Sequence, residues 1–380
     1  MSRADALPTL PDASMTLLGL ALLLVGLVAI SSASIDYSQF HDQNAWYHTQ
    51  RHLIYLVAAV GIGIGLYQVP MSFWQETGWM WLLLALAGLI LVLIPGLGKE
   101  VNGSQRWIAI GPYTAQPSEF AKLAMVVYLA GYMVRRETEL RRDWRGFLKP
   151  MGVLGATTLL LLVEPDFGAT VIVVATAMGM LFLAGVKLGH FLIVALGAFG
   201  AAVVLVLSAP YRWERVKSFR NPWDDPYGSN FQLVQSLIAY GRGEWSGVGL
   251  GNSVQKLFYL PEAHTDFVFS VWAEETGFIG AVTVIVLFVA LIGCILWTAR
   301  RAALVGDTFA AHICHGVALV FSGQAFVNIG MSSGLLPTKG LTLPFVSYGG
   351  TSLIVCCAML ALVLRVEREN RLARPAGRRK

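Results

Sequence analysis

The sequence predicts an all-α, polytopic integral membrane protein: ten transmembrane helices, with a large external loop between the seventh and the eighth. Three observations carry this. Apolar residues make up 56% of the 380-residue chain. Charged residues make up 13%, about half the usual quarter, so most of the surface does not face water. Ten apolar runs recur, each near the roughly 20 residues needed to cross a hydrocarbon core of about 30 Å. The net charge of +5 is therefore no sign of a nucleic-acid partner, because positive charges in such a chain set its orientation.

The first run, 15–34, ends in Ser31-Ser32-Ala33-Ser34, which mimics a signal-peptide cleavage site. A signal core is about 7–15 residues, so this longer run reads as a retained span. The others fall at 52–69, 76–95, 117–135, 147–163, 167–185, 189–208, 268–298, 308–331 and 346–366. The resulting division is an N-terminal tail over 1–14, a ten-helix membrane domain over 15–366 with the loop 209–265 included, and a basic tail over 367–380. An even number of spans puts both termini on one side. Lys and Arg number 17 on that side and 10 on the other, so the positive-inside rule makes the termini cytoplasmic and the 209–265 loop external. All four cysteines fall in apolar runs and read as small buried hydrophobes rather than a disulfide framework. His312, Cys314 and His315 lack a further ligand at zinc spacing.

The external segments carry the chemistry-bearing residues. Between the third and fourth spans, Asn102 to Ile108 leads to Gln116-Pro117-Ser118-Glu119-Phe120-Ala121-Lys122. Pro117 and Glu119 suit a helix start. Lys122 is a cation one turn into a membrane helix and needs an anion: Glu119 three residues away, a substrate phosphate or the Asp266 carboxylate. Glu164-Pro165-Asp166 is a tight turn whose acids can cap the next helix. The 209–265 loop mixes Tyr211, Arg212, Trp213 and Arg215 with a Pro/Asp turn, and its Ser229–Tyr240 stretch has the spacing of an amphipathic helix on the membrane surface. The Gly/Pro-marked stretch 328–352 is irregular backbone, tolerated at membrane depth only where it is covered by protein or lines a cavity.

Asp266 stands immediately before the eighth apolar run. An ionisable residue at that boundary is costly enough to be a functional candidate. Glu274, about 12 Å deeper and rotated by roughly 80°, and Glu275, nearly opposite, cannot act on the same atom as Asp266. They read as members of interhelical polar contacts. Desolvation raises the pKa of Asp266, whereas the helix start and any nearby Lys lower it, and composition leaves the balance open.

At these residues the chain resembles the SEDS family of peptidoglycan polymerases. The resemblance runs from the first span to about Arg368. It rests on Arg106-Trp107, QPSEFAK at 116–122, GLGNSVQKLFYLPEAHTDF at 249–267 and NIGMSSGLLPTKGLTLPFVSYGG at 328–350. Within the last two, the stretches GNSVQK, YLPEAHTDF and KGLTLPFVSYGG are more similar to the cell-division members than to the elongation members. The resemblance implies a glycosyltransferase that joins lipid II, an undecaprenyl-pyrophosphate disaccharide pentapeptide, into glycan strands on the outer face of the cytoplasmic membrane. It implies Asp266 as the essential acid and general base, with Arg106, Glu119 and Lys122 in the same cavity. Arg212, Lys256 and Lys339 are further candidates for holding the donor pyrophosphate. It implies no firm cofactor beyond a divalent cation, magnesium or manganese, at the pyrophosphate. Its partners would be lipid II, the growing strand, membrane lipid, a class B penicillin-binding transpeptidase and other division proteins at the septum. The alternatives are a lipid II transporter, which intramembrane charges and broken helices also suit, an elongation polymerase and a non-catalytic scaffold.

Overall fold

In a computed structural model, the described residues are 13–101, 104–111, 113–208, 213, 221–228, 230–337 and 340–373. Each of the ten apolar runs forms a helix. In chain order the elements are α1 (Ala13–Asp42), α2 (Tyr47–Gln68), α3 (Met71–Leu93), β1 (Gly98–Val101), β2 (Ser104–Ile110), β3 (Tyr113–Ala115), α4 (Pro117–Arg135), the short α5 (Glu137–Arg142), α6 (Trp144–Val163), α7 (Phe167–Leu183), α8 (Leu188–Leu207), α9 (Phe231–Gly243), α10 (Val268–Leu304), α11 (Thr308–Ser332) and α12 (Gly350–Leu372). Among the described residues, seven helices are long and apolar enough to cross a membrane, and α7 and α8 add two shorter apolar ones. The remaining run, α4, lies at the centre of the bundle against α3, α7, α11 and α12, and most of its side chains are buried. Its Glu119 and Lys122 therefore face protein rather than lipid. At the opposite extreme, α8 packs on α7 and, through His190 against Trp144, on the start of α6, and has no buried side chain among those described.

A small antiparallel sheet, β1-β2-β3, lies between α3 and α4, where the sequence reading placed an external segment and no strand. Its register pairs Lys99 with Trp107 and Ile108 with Ala115, and it rests on α3 and on the start of α4. The amphipathic stretch forms α9, whose apolar face is used within the protein. Leu233, Val234 and Ala239 are buried, and α9 packs on α10 and α11. Ser236 Oγ donates to Ser332 O at 2.6 Å and lies 2.6 Å from Ser270 Oγ.

The last span extends to Leu372, past the expected boundary at residue 366. Its basic residues are engaged rather than solvated. Arg365 pairs with Glu369 at 2.6 Å and donates to Gln68 O, and Glu369 accepts from the Met71 amide at the start of α3. Glu367 takes Arg301 at 2.7 Å and Arg371 at 3.0 Å. These contacts clamp the α2–α3 turn and the end of α10 to α12. The flanking tails 1–12 and 374–380 lie outside the described residues.

The most consequential departure from a simple span is in α10. A straight helix of its 37 residues would run about 55 Å, well beyond a bilayer core. It is broken at Gly277, whose φ of 69° and ψ of −167° lie outside helical geometry. A break exposes backbone groups that need partners away from water. The 244–249 loop supplies them. Val248 and Gly249 donate to the carbonyls of Glu274 and Glu275 at 3.0 Å, and the Phe278 and Ile279 amides donate to Glu244 O and Trp245 O at 2.8 and 3.2 Å. The two backbones meet at Gly247 and Gly277, where a Cβ on either residue would strike the other strand of chain. The result is a short helix, 268–276, that begins two residues after Asp266 and is held apart from the long membrane helix. Replacing Gly277 by Ala therefore combines a positive φ with a clash. It is expected to cost about 1–3 kcal/mol, read as earlier thermal unfolding of the detergent-purified protein; an unchanged melt would contradict the break.

Candidate active site

The ends of the elements position the site. Four helices, α4, α7, α10 and α12, begin around one cavity of about 630 Å³. Asp266, Glu262 and Thr265 enter from the α10 side, Gln116 and Glu119 from α4, Asp166 and Gly168 from α7, and Gly349, Thr351 and Ser352 from α12. Arg106 and Trp107 come from β2, and Gly340, Leu341, Thr342 and Tyr348 from the irregular loop before α12. The expectation that 328–352 walls a cavity is met in this loop.

Arg106 is fixed by the α6–α7 turn. Its Nε donates to Glu164 O at 3.2 Å, its guanidinium also donates to Pro165 O, and Nη1 is 3.9 Å from Asp166 Oδ1. Asp166 is buried and caps α7 by accepting from Ala169 N at 3.1 Å. It also accepts from Ser118 Oγ at 2.8 Å and Gln116 Nε2 at 3.2 Å, which joins α7 to α4. The capping role was readable from the sequence; the tie to α4 was not. Glu164 is wholly buried with neither carboxylate oxygen hydrogen-bonded among the described residues, and burial followed by the nearby Asp166 charge pushes its pKa up to about 8.

Asp266 faces the cavity and keeps part of its surface open to it. The protein around it excludes enough water that burial pushes its pKa up to about 7. The Glu262 charge adds to the rise and Arg106 opposes it. Desolvation wins the balance that the sequence left open. Two neighbours set its position. Asn328 on α11, fully buried, donates one Nδ2 hydrogen to Asp266 O at 3.0 Å and the other to Leu341 O at 2.6 Å. Gly340 lies so close that a Cβ there would sit 3.0 Å from Asp266 Oδ2. Asn328 was visible only as part of a Gly/Pro-marked wall, because nothing in its sequence context says that it reaches a residue 62 positions away.

The remaining expected site residues separate into distinct places. Glu119 lines the cavity, but its Oε2 is 2.7 Å from Lys122 Nζ and both side chains are buried, so Lys122 sits behind Glu119 rather than in the lining. Lys256 lies away from the cavity. Its Nζ donates to Ser32 Oγ at 3.0 Å, Gly251 O at 2.7 Å and Glu275 Oε1 at 3.0 Å. Glu274 accepts from Ser253 Oγ at 2.5 Å and from the Val254 and Gln255 amides, with Arg242 at 3.6 Å. Both glutamates thus fasten the 251–256 loop to the short helix. Glu275 also accepts from Ser32 Oγ on α1 at 2.6 Å and Arg242 stands on α9, so the expected interhelical contacts are present beside these helix-to-loop ones. Arg212 and Lys339 lie outside the described residues. Among the described residues, no three of His, Cys, Asp and Glu are grouped to ligate one ion, so the cavity acids do not fit a protein-only cation cage and no step below runs through a metal.

Fold and cavity together define a polytopic membrane protein with a cavity at one end of its bundle, lined by a perturbed carboxylate and an arginine. The chain belongs to the FtsW/RodA/SpoVE family: the family profile, described as "Cell cycle protein", matches residues 12–372. It is 52% identical over 352 residues to a Pseudomonas fluorescens protein named "Probable peptidoglycan glycosyltransferase FtsW", covering 93% of this chain and 86% of that one. A Nitrosococcus halophilus protein of the same name is 50% identical over 372 residues, covering 97% and 95%. Among solved structures, one described as "Structural coordination of polymerization and crosslinking by a peptidoglycan synthase complex" matches with a TM-score of 0.77 at 30% identity, covering 95% of this chain and 99% of that one. Thermus thermophilus RodA matches at 0.70 and 27% identity, covering 95% and 98%.

The Glu119–Lys122 pair makes a separable prediction. Lys122→Met leaves a buried carboxylate without its cation and should cost about 3–5 kcal/mol. The double variant Glu119→Gln/Lys122→Met should recover most of that loss. Thermal unfolding of the three proteins reads it, and a single variant as stable as the parent would show that the lysine is not what balances Glu119.

Proposed function

We propose that this chain is a peptidoglycan glycosyltransferase that polymerises lipid II into glycan strands during cell division. The observation that carries the reading is Asp266, a carboxylate with a pKa near 7 in a cavity formed by helix starts and faced by Arg106. The kinship with proteins named for this activity supports it over most of the chain.

The chemistry follows from these groups. The acceptor sugar presents its 4-hydroxyl to Asp266. As the hydroxyl oxygen bonds to the donor's anomeric carbon, its proton passes to an Asp266 carboxylate oxygen. The bond from that carbon to the pyrophosphate breaks, and its electron pair leaves with the undecaprenyl pyrophosphate. A base that titrates near the working pH is matched to this transfer. Negative charge grows on the leaving oxygen, and Arg106 supplies a fixed cation, held by two carbonyls rather than neutralised by a tight carboxylate pair. The starts of α10 and α12, neither capped by a side chain, add the positive ends of two helix dipoles. Lys122, committed to Glu119, acts in this scheme by bracing the cavity wall, and Lys256, committed to Glu275, by fastening the 251–256 loop to the short helix.

The transporter alternative relied on deep acids. Glu274 and Glu275 are instead engaged by Ser253, Lys256, Ser32 and loop amides, which supports the polymerase. The loop and the cavity face outward, the termini lie in the cytoplasm and the protein works at the septum of the inner membrane; the bias of Lys and Arg and the division-type relatives support this placement. A class B transpeptidase crosslinks the product, a pairing supported by the likeness to a chain from a synthase complex described as coordinating polymerization and crosslinking.

Asp266→Asn is expected to abolish strand formation from lipid II in the purified protein while leaving its melting temperature in place; normal polymerisation by this variant would sink the mechanism. In the parent, kcat/KM should rise with pH through about 7, since the free base must be deprotonated. Glu262→Gln removes a neighbouring negative charge and should move that limb to lower pH, and Arg106→Gln should move it higher. Asn328→Ala is expected to lower kcat by about ten- to a hundredfold with little change in KM, because it loosens the base without touching substrate. A change confined to KM would contradict that role.

A further inference from the structure

Beside the cavity lies a cluster that the reaction does not use. Tyr348 lines the cavity, and its ring is 6.4 Å from that of Tyr55 on α2. Tyr55 in turn is 5.6 Å from Tyr113 on β3, at the outer margin, where Tyr113 is 36% exposed. The Arg51 guanidinium lies over both Tyr113 and Tyr47, 5.5 and 5.4 Å from their centroids, and its Nη1 donates to the Tyr47 hydroxyl at 2.7 Å. Gly350, at the start of α12, makes room for this arrangement, since a Cβ there would strike the Tyr55 ring. The rings therefore continue from the cavity wall to the protein surface, between the start of α2 and the sheet.

A polymerase must hold more product than its reaction chamber contains. At about 630 Å³ the cavity is the size of a small-molecule pocket, which takes the reacting ends and not a strand. Strand leaving it needs a surface that grips sugars loosely enough to slide. Tyrosines suit this need: each presents an apolar face for the C–H side of a pyranose and a hydroxyl for its edge, at small entropic cost. An arginine stacked on them adds a planar donor for the carboxylates that a peptide-bearing strand carries.

We propose that Tyr348, Tyr55, Tyr113 and Arg51 form a saccharide track that holds the growing glycan strand next to the reaction cavity. This rests on the polymerase reading above and assigns that site a product-binding subsite. A row of interfacial tyrosines whose only task is to anchor lipid headgroups is the competing explanation, and it makes a different prediction about product length.

The test uses the full-length purified protein with lipid II, together with its transpeptidase partner where activity requires it. Two quantities are read, the rate of the first glycosidic bond and the length distribution of the strands. Tyr113→Ala and Arg51→Gln are expected to shorten strands about three- to tenfold, out of proportion to any change in the first-bond rate. Tyr113→Phe, which keeps the ring, should give strands of parental length. Both substitutions sit at the surface, and matching melting temperatures verify the fold; where one variant melts early, the other carries the test. Strands of unchanged length in the Ala and Gln variants would overturn the track and leave the rings to the lipid interface. A first-bond rate that falls as much as strand length would overturn it too, by placing these residues in the reaction itself. Failure of the Asp266 mechanism would show separately, as first-bond activity surviving in Asp266→Asn.

Discussion

The structure depends on a backbone exchange at Gly277. An apolar helix in a membrane cannot be interrupted unless the freed carbonyls and amides find partners, and here the 244–249 loop provides all four. That exchange separates the short 268–276 helix from the span below it and fastens the external loop to it. The side chains of Glu274 and Glu275 repeat the connection one layer up, gripping 251–256 and Lys256. Asp266 stands at the far end of this braced segment. Its carbonyl is tied by Asn328 to the cavity loop, so the acid is held from below by α10 and from the side by α11.

The distribution of charge follows the same logic of burial. Inside the bundle each cation seen in detail has an assigned acid: Lys122 with Glu119, Lys256 with Glu275, Arg301 with Glu367. Such pairs are poor sources of stability but expensive to break, and they leave few charges free to act on a ligand. Arg106 differs because it is held chiefly by carbonyls, at the surface of the cavity. At Asp266 desolvation is the main influence, and the neighbouring charges of Glu262 and Asp166 add to it while Arg106 opposes it. A proton is therefore easily taken up there near neutral pH, which is the property that a base for a sugar hydroxyl needs.

Much of this was legible in the chain itself. The ten helices follow from apolar runs of membrane length, and Asp266 follows from a carboxylate set against the start of one. The Glu119–Lys122 pair follows from i,i+3 spacing, although spacing alone left open whether the lysine served its neighbour or a substrate. What was not legible shares a cause: it depends on contacts distant in sequence. Lys256 reads as a free external cation until Glu275 and Ser32 are brought to it. The sheet was missed because its strands are short, four, seven and three residues, and their alternation is broken by Gly and Pro. Asn328 and Gly340 have no local signal of any kind, since their roles are defined by where Asp266 ends up.

The account stands on the protonation state of one side chain at rest, before any substrate arrives. Carbon-13 NMR of the aspartate carboxyls in the detergent-solubilised protein, with Asp266→Asn used to assign the resonance, measures it directly. The account predicts that Asp266 titrates near pH 7. A midpoint below about 5, in the ordinary range for an aspartate, would mean that the cavity does not desolvate this carboxylate, and would contradict its assignment as the tuned base.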